Sequence, residues 1–205
     1  PETPIIGINT GHLGFFQELM PSQLEMFVEY FERREYTIEK IKPIRALVTD
    51  RDGVHELIGI NEILVMGMYA KLAHLAIIMD DTPIQEFIGD GMLVSTSVGS
   101  TAHNYSLGGS LVAPQLDALQ LTPMAPLNTS AYRCFRSSIL YPASKKVRMI
   151  TRKSTDGDKL LLAYDGFTRE FSRVSKIDVM QSDSQIQLVR LPGYDYWKKL
   201  KGKLL

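Results

Sequence analysis

Cysteine is almost absent from the sequence: Cys134 is the only one in 205 residues. A single thiol forms no disulfide within the chain and builds no thiolate zinc site, so a disulfide framework and a zinc ribbon are both excluded. One cysteine fits a reducing, cytoplasmic setting, and its expected place is a packed interior, as a small apolar side chain. Long apolar runs are missing too: none approaches the roughly 18 residues of a membrane-spanning helix. Charge of one sign is not in excess, because 23 Lys and Arg balance 23 Asp and Glu. Nucleic acids and anionic membranes are bound through basic surfaces, so neither is an expected partner. Internal repeats and low-complexity segments are also lacking.

What remains is ordinary globular composition, 44% hydrophobic and 22% charged, in a chain long enough to bury a core in one or two domains. Pro4-Ile5-Ile6-Gly7-Ile8 reads as a short buried strand running into the loop Asn9-Thr10-Gly11-His12-Leu13-Gly14. A glycine-rich turn after a strand is where open α/β sheets hold ligands. Ser22, with Glu25 three residues on, predicts a capped helix start, and Leu24, Phe27, Val28 and Phe31 lie at helical spacing on one core-facing side. This strand and helix resemble the last βα unit of an α/β domain. From Tyr36 short β runs take over. Asp50-Arg51-Asp52-Gly53 and Asp80-Asp81 predict hairpins, with further turns at Asp156-Gly157 and Asp165-Gly166. Many short strands at this spacing predict a β-sandwich-like domain. Pro192-Gly193 ends the last strand. Tyr194, Trp197 and Leu200 then share one face of a lysine-rich tail helix, expected to dock on the protein's own body. The expected fold is an α/β N-terminal remnant over residues 1–40, an all-β domain over 41–191 and a C-terminal helix over 192–205.

The stretch Gly89 to Gly109, GDGMLVSTSVGSTAHNYSLGG, stands apart. An apolar run at Met92-Leu93-Val94 leads into small polar residues from Ser95 onward, which bury little apolar surface. Two readings stay open on the residues alone. One is a loop that offers N–H groups and hydroxyls to a polar, phosphorylated ligand at a helix start. The other is a serine-rich surface loop with a capped helix after it.

This string resembles the ligand-binding segment of NAD kinases, which phosphorylate the adenosine-ribose 2′-hydroxyl of NAD. Three more stretches match that family in order: Gly7 to Phe15, Asn61-Glu62 and Asp165-Gly166. The resemblance implies that Asn61 and Glu62 hold the adenosine half of NAD, together with the run Ser100, Thr101, Ala102, His103, Asn104, Tyr105 and Ser106. It places Asp90, Ala125 and Tyr132 at the nicotinamide end and Asp165 near the same ligand. Thr10, Gly11 and His12 fall on the ATP-phosphate side. It further implies Mg²⁺ carried with ATP, NAD as substrate and a homo-oligomer with shared sites. The family's Gly-Gly-Asp-Gly motif with the catalytic aspartate is expected upstream of Pro1, so these 205 residues alone are expected to be inactive. Departures from the family pattern are Ser97 for proline, Val98 for a hydroxyl residue, His103 for tyrosine and Ile88 before the Gly-Asp-Gly turn. They leave room for a nucleotide-binding relative without kinase activity, and for a lipid kinase relative, although lipid kinases lack this string.

Overall fold

A computed structural model describes residues 3–11, 14–130, 132–152 and 159–204. Its strands in chain order are β1 (Gly7–Ile8), β2 (Gln17–Leu19), β3 (Thr37–Ile41), β4 (Ile44–Thr49), β5 (Val54–Gly59), β6 (Glu62–Gly67), β7 (Ala73–Met79) and β8 (Thr82–Gly89). There follow β9 (Gly91–Thr96), β10 (Ala118–Met124), β11 (Ile139–Pro142), β12 (Val147–Thr151), β13 (Lys159–Tyr164), β14 (Phe167–Ser172), β15 (Lys176–Gln181) and β16 (Ile186–Arg190). The helices are α1 (Leu24–Glu32), α2 (His103–Ser106) and α3 (Tyr196–Leu204), with short 3-10 turns at Pro21–Gln23 and Val98–Thr101. No described helix is long and apolar enough to cross a membrane. The chain divides into two compact units, residues 43–183 and residues 1–42 with 184–205.

The larger unit is a sandwich of two six-stranded antiparallel sheets, ordered β11-β10-β9-β6-β13-β14 and β5-β4-β15-β12-β7-β8. Alternation along the strands builds it. Ile63, Val94 and Leu121 lie in one row across β6, β9 and β10 and face the common core, with Ile44, Val48, Leu75, Val147 and Ile177 of the other sheet. Each such side chain, fully removed from water, stabilises the fold by about 1.5–3 kcal/mol. Cys134 packs in this core with its backbone neighbours, the Ile88 N–H 3.4 Å from its Sγ. Both expected hairpins form. Asp80 and Asp81 have positive φ of 44° and 67°, which suits the two-residue turn between β7 and β8.

The other face of the first sheet is also covered. Leu64 and Leu93 are buried outside the sandwich core, in a row that continues to Thr122. The segment Ser97 to Leu116 is tied down on this side by polar side chains. The Gln120 carboxamide accepts from Ser110 N at 2.7 Å and donates to Ser110 O at 3.1 Å, and Thr122 donates to Asn104 Oδ1 at 2.7 Å.

The smaller unit departs from expectation in four respects. β1 is only two residues long, pairs in parallel with β2, and leaves Ile5 and Ile8 exposed rather than buried. Ser22 does not cap the helix. Gln23 reaches back instead, accepting from Met20 N at 2.8 Å, so a 3-10 turn precedes α1. Leu24, Val28 and Phe31 are exposed, and α1 turns Phe27 and Tyr30 toward a small core of Leu19, Val189 and Leu191. That core dictates which face turns inward. Ile186–Arg190 was expected in the all-β domain, but it pairs antiparallel with β3 in the smaller unit. Arg190 at its end is buried and ion-paired with Glu18 at 3.0 Å and Glu39 at 2.6 Å, which fixes this strand beside β2 and β3.

Candidate functional site

The site begins at a turn. Asp165 and Gly166 join β13 to β14 with φ of 45° and 85°, the left-handed pair of a two-residue hairpin, which aspartate and glycine tolerate. Held there, the Asp165 carboxylate accepts from the main-chain N–H of Ile60 at 2.5 Å and of Asn61 at 2.8 Å. Asn61 is gripped from the other side as well. Its carbonyl accepts from Thr96 N at 2.9 Å, while Thr96 Oγ1 donates to Ile60 O at 2.8 Å and accepts from Gly99 N at 3.0 Å. Gly99 lies so close that a Cβ there would run into the Asn61 carbonyl, so this position requires glycine. All the bonds that fix Asn61 run through its main chain. Among the described residues its carboxamide adds no hydrogen bond.

Glu62 opens β6 and lies opposite Ser95 in the ladder. Asp165 follows directly on the Tyr164–Ile63 pair that ends the ladder, near enough for its charge to act on Glu62. Glu62 is 8% exposed and its Oε2 has no partner among the described residues. Burial and the facing Asp165 charge raise its carboxyl to about 7, against a hydrogen bond from the His103 N–H that lowers it. His103 opens α2, and Ala102 before it has an extended kink, φ −96° and ψ −134°, between the 3-10 turn and the helix. Thr101 and Ala102 are half-buried, and His103, Tyr105 and Ser106 are exposed along this rim.

Ser100 and Asn104 are fully buried. Ser100 Oγ accepts from Val112 N at 3.0 Å, and the Asn104 carboxamide donates to Ser110 O at 3.3 Å and accepts from Thr122. A Cβ at Gly109 would run into the same carboxamide, so Asn104 and Gly109 fit as a unit. In this conformation both polar side chains brace the loop. Thr96, Gln120 and Thr122 were not singled out in the sequence, yet they hold the loop in register. The polar-apolar alternation Gln120-Leu121-Thr122 beside Leu119 was the available signal.

The arrangement changes the expected chemistry of the loop. A four-residue α2 is too short to hold an anion at its start, and its first N–H is already bonded to Glu62. Two facing carboxylates repel phosphate. Carboxylates accept from hydroxyl and N–H groups instead, so Glu62 and Asp165 suit a hydrogen-bond donor better than an anion.

The remaining predicted residues lie elsewhere. Asp90 stands at the opposite end of β9, where its N–H donates to Met124 O at 3.0 Å and its carbonyl accepts from Gly67 N at 3.1 Å. The main chain, not the Asp90 carboxylate, closes that turn. Ala125 adjoins it with φ 44°, and a Cβ at Gly89 would come within 2.8 Å of the Ala125 carbonyl. Tyr132 is exposed, and its carbonyl accepts from Thr129 N at 2.9 Å. Gly91 and Ser95 are four residues apart on β9, roughly 13 Å at strand spacing. One chain therefore does not bring Asp90 to Glu62. Thr10 and Gly11 are exposed in the smaller unit, where Gly11 N donates to Asn9 Oδ1 at 3.2 Å. His12 lies outside the described residues. No group of three or more His, Cys, Asp or Glu able to hold a metal ion occurs among the described residues.

The fold is similar to those of solved NAD and NADH kinases. The yeast NADH kinase, solved with NADH, superposes with a TM-score of 0.84 at 22% identity, over 97% of this chain and 57% of that one. The Archaeoglobus fulgidus NAD kinase, solved with ATP, gives 0.75 at 26% identity, over 98% of this chain and 73% of that one. The ATP-NAD kinase C-terminal domain family matches residues 60–191. The NAD kinase of Finegoldia magna is 35% identical over 98% of this chain and 75% of its own length. NAD kinase 1 of Halalkalibacterium halodurans is 30% identical over 100% of this chain and 76% of its own. The chain belongs to the NAD kinase family.

Proposed function

We propose that this chain holds the dinucleotide in a kinase that moves the terminal phosphoryl group of MgATP, or of polyphosphate, to the adenosine-ribose 2′-hydroxyl of NAD, giving NADP. The observation that carries the reading is the buried Glu62 next to Asn61 in the chain: one of its oxygens has no partner among the described residues, and the Asp165 charge acts on it. Glu62 and Asp165 accept from the ribose hydroxyls, and Asn61 reads the adenine edge. Thr101, Ala102 and His103 form the rim over the adenosine. A ribose hydroxyl is a weak acid, so transfer needs a group that orients it and takes its proton. We assign that role to an aspartate in a Gly-Gly-Asp-Gly motif of the whole protein, outside these 205 residues. Thr10, Gly11 and His12 belong to the ATP side of an α/β domain. Mg²⁺ arrives with the ATP phosphates, whose charge it spreads. The setting is the cytoplasm.

The test is NADP formation from NAD and MgATP. The full-length protein is expected to turn over and the 205-residue chain alone is not. NADP made by the short chain overturns the assignment of the catalytic group. Tight NAD binding in titration calorimetry with no turnover by the full-length protein identifies a nucleotide-binding relative instead.

The distance between Glu62 and Asp90 supports a second part of the proposal: the protein is a homo-oligomer, and Asp90, Ala125 and Tyr132 of a neighbouring copy complete the nicotinamide end. Closed two-fold pairing makes two equivalent composite sites. Asp90→Ala and Asn61→Ala proteins are each expected to bind NAD weakly. Mixed, they are expected to regain a share of intact sites, seen as a tight fraction in titration. No recovery on mixing, or a monomer in sedimentation that binds NAD fully, sinks the shared site.

A further inference from the structure

We propose that Lys199, on the C-terminal helix, is a positioning residue for the MgATP side of the reaction, because it clamps the chain that returns from the Thr10-Gly11 turn. The proposal rests on the reading that this turn faces ATP. Within the smaller unit, Thr10 and Gly11 follow β1, and Phe15 leads into β2. Its base is closed where Asn9 N donates to Leu19 O at 2.7 Å. Backbone pairing between β1 and β2 covers Gly7–Ile8 and Gln17–Leu19, and Glu18 is tied to Arg190 and Leu191, which leaves the Phe15 and Gln17 carbonyls to another anchor.

Lys199 supplies it. Its ammonium donates to the Phe15 carbonyl at 3.1 Å and to the Gln17 carbonyl. Two further contacts from α3 fall on the same segment: the Phe15 ring packs on Tyr196 at 6.2 Å, and the Lys203 ammonium lies 5.3 Å from the Phe15 ring centre. Three residues of one short helix thus converge on Phe15–Gln17. A hydrophobic tail helix would need none of this charge to dock. The ammonium is half-buried, and burial lowers it to about 8, with Arg190 and Lys203 lowering it further and Glu18 and Glu39 raising it. Holding a lysine there at a cost in solvation is consistent with a demand for its two donated bonds.

The experiment uses the full-length enzyme with Lys199→Met, Lys199→Arg and Gly11→Val. Gly11 has open space around it, so a valine there projects into the space the proposal gives to MgATP without a clash inside the unit. For Lys199→Met, KM for MgATP is expected to rise about tenfold, the scale of losing a hydrogen bond from a charged group. KM for NAD and the melting temperature should stay near wild type, and Lys199→Arg should recover most of the loss. Amide exchange at Gly11 and Gly14 should quicken in the methionine variant alone. If Gly11→Val leaves KM for MgATP unchanged, the ATP-side reading of the turn is wrong. If Gly11→Val raises it and Lys199→Met does not, the clamp is wrong. Equal rises in both KM values with a lowered melting temperature reduce Lys199 to a structural role and overturn the proposal.

Discussion

Asp165→Ala is expected to lower NAD affinity by about 100-fold or more and to destabilise the larger unit. The substitution removes the acceptor of two main-chain N–H groups, those of Ile60 and Asn61, both in part-buried bonds. Each donor left unpaired costs about 1–3 kcal/mol, toward the lower end where water reaches it. Alanine also sits poorly at φ 45°, so the hairpin turn is strained as well. The loss reaches NAD through geometry, because the same two bonds aim Asn61 and set the start of β6, where Glu62 stands. Asp165→Asn separates geometry from charge. Asparagine tolerates the left-handed turn and keeps one acceptor oxygen. It removes the negative charge facing Glu62, so the Glu62 carboxyl should titrate below its present value of about 7 while burial keeps it above an ordinary glutamate. Thermal melts, calorimetry with NAD and a carbon-13 titration of Glu62 read these three effects. A Glu62 titration unmoved in the asparagine variant would mean that burial alone sets it.

How much of this was legible before the structure differs by element. The hairpins at Asp50–Gly53 and Asp80-Asp81 were readable because turn residues and flanking β runs agree. The cleft residues Asn61, Glu62 and Asp165 were named by resemblance, but their mutual placement was not, since it depends on a ladder pairing across about a hundred residues. β15 escaped notice because Lys176 and Asp178 interrupt its apolar pattern. Asp178 is nonetheless buried, held by Arg148 Nε at 2.6 Å, a partner on another strand that local sequence does not announce. The loop after β9 was legible as polar and small. That its polar side chains face inward was not, because a buried serine and a solvated one look alike until Gln120 and Thr122 are seen beneath them. Helix α1 shows the reverse error: a clean apolar stripe at Leu24, Val28 and Phe31 stays exposed. Periodicity reports which face is apolar, and only the neighbouring elements decide which face is covered.

Glu62→Gln is expected to stabilise the protein and weaken NAD binding at the same pH, which few substitutions do. The ordinary glutamate value is 4.5, and the folded protein raises Glu62 to about 7. Between those values the folded state holds a proton that the unfolded chain has released, so stability falls as pH rises from about 4.5 through about 7 and is level above. A shift of this size corresponds to about 3 kcal/mol at pH 8. Glutamine carries no charge and avoids that cost, so the variant should melt higher than wild type at pH 8 and equal to it near pH 4.5. Binding has the opposite sign. The charged carboxylate is the better acceptor for ribose hydroxyls, so wild-type affinity for NAD should rise as pH climbs through 7 and then level off. Glutamine keeps a weaker acceptor and no titration, and its affinity should be nearly flat with pH, about tenfold or more below wild type at pH 8. Melting temperature and calorimetric affinity, both followed from pH 5 to 8.5, decide the matter. A Glu62→Gln protein that binds NAD like wild type at pH 8 would show that the hydroxyls find their acceptor elsewhere. A wild-type melting curve without the fall through pH 7 would show that Glu62 is not buried as an acid. If both trends appear in the wild type with opposite signs and both vanish in Glu62→Gln, this one carboxyl carries them.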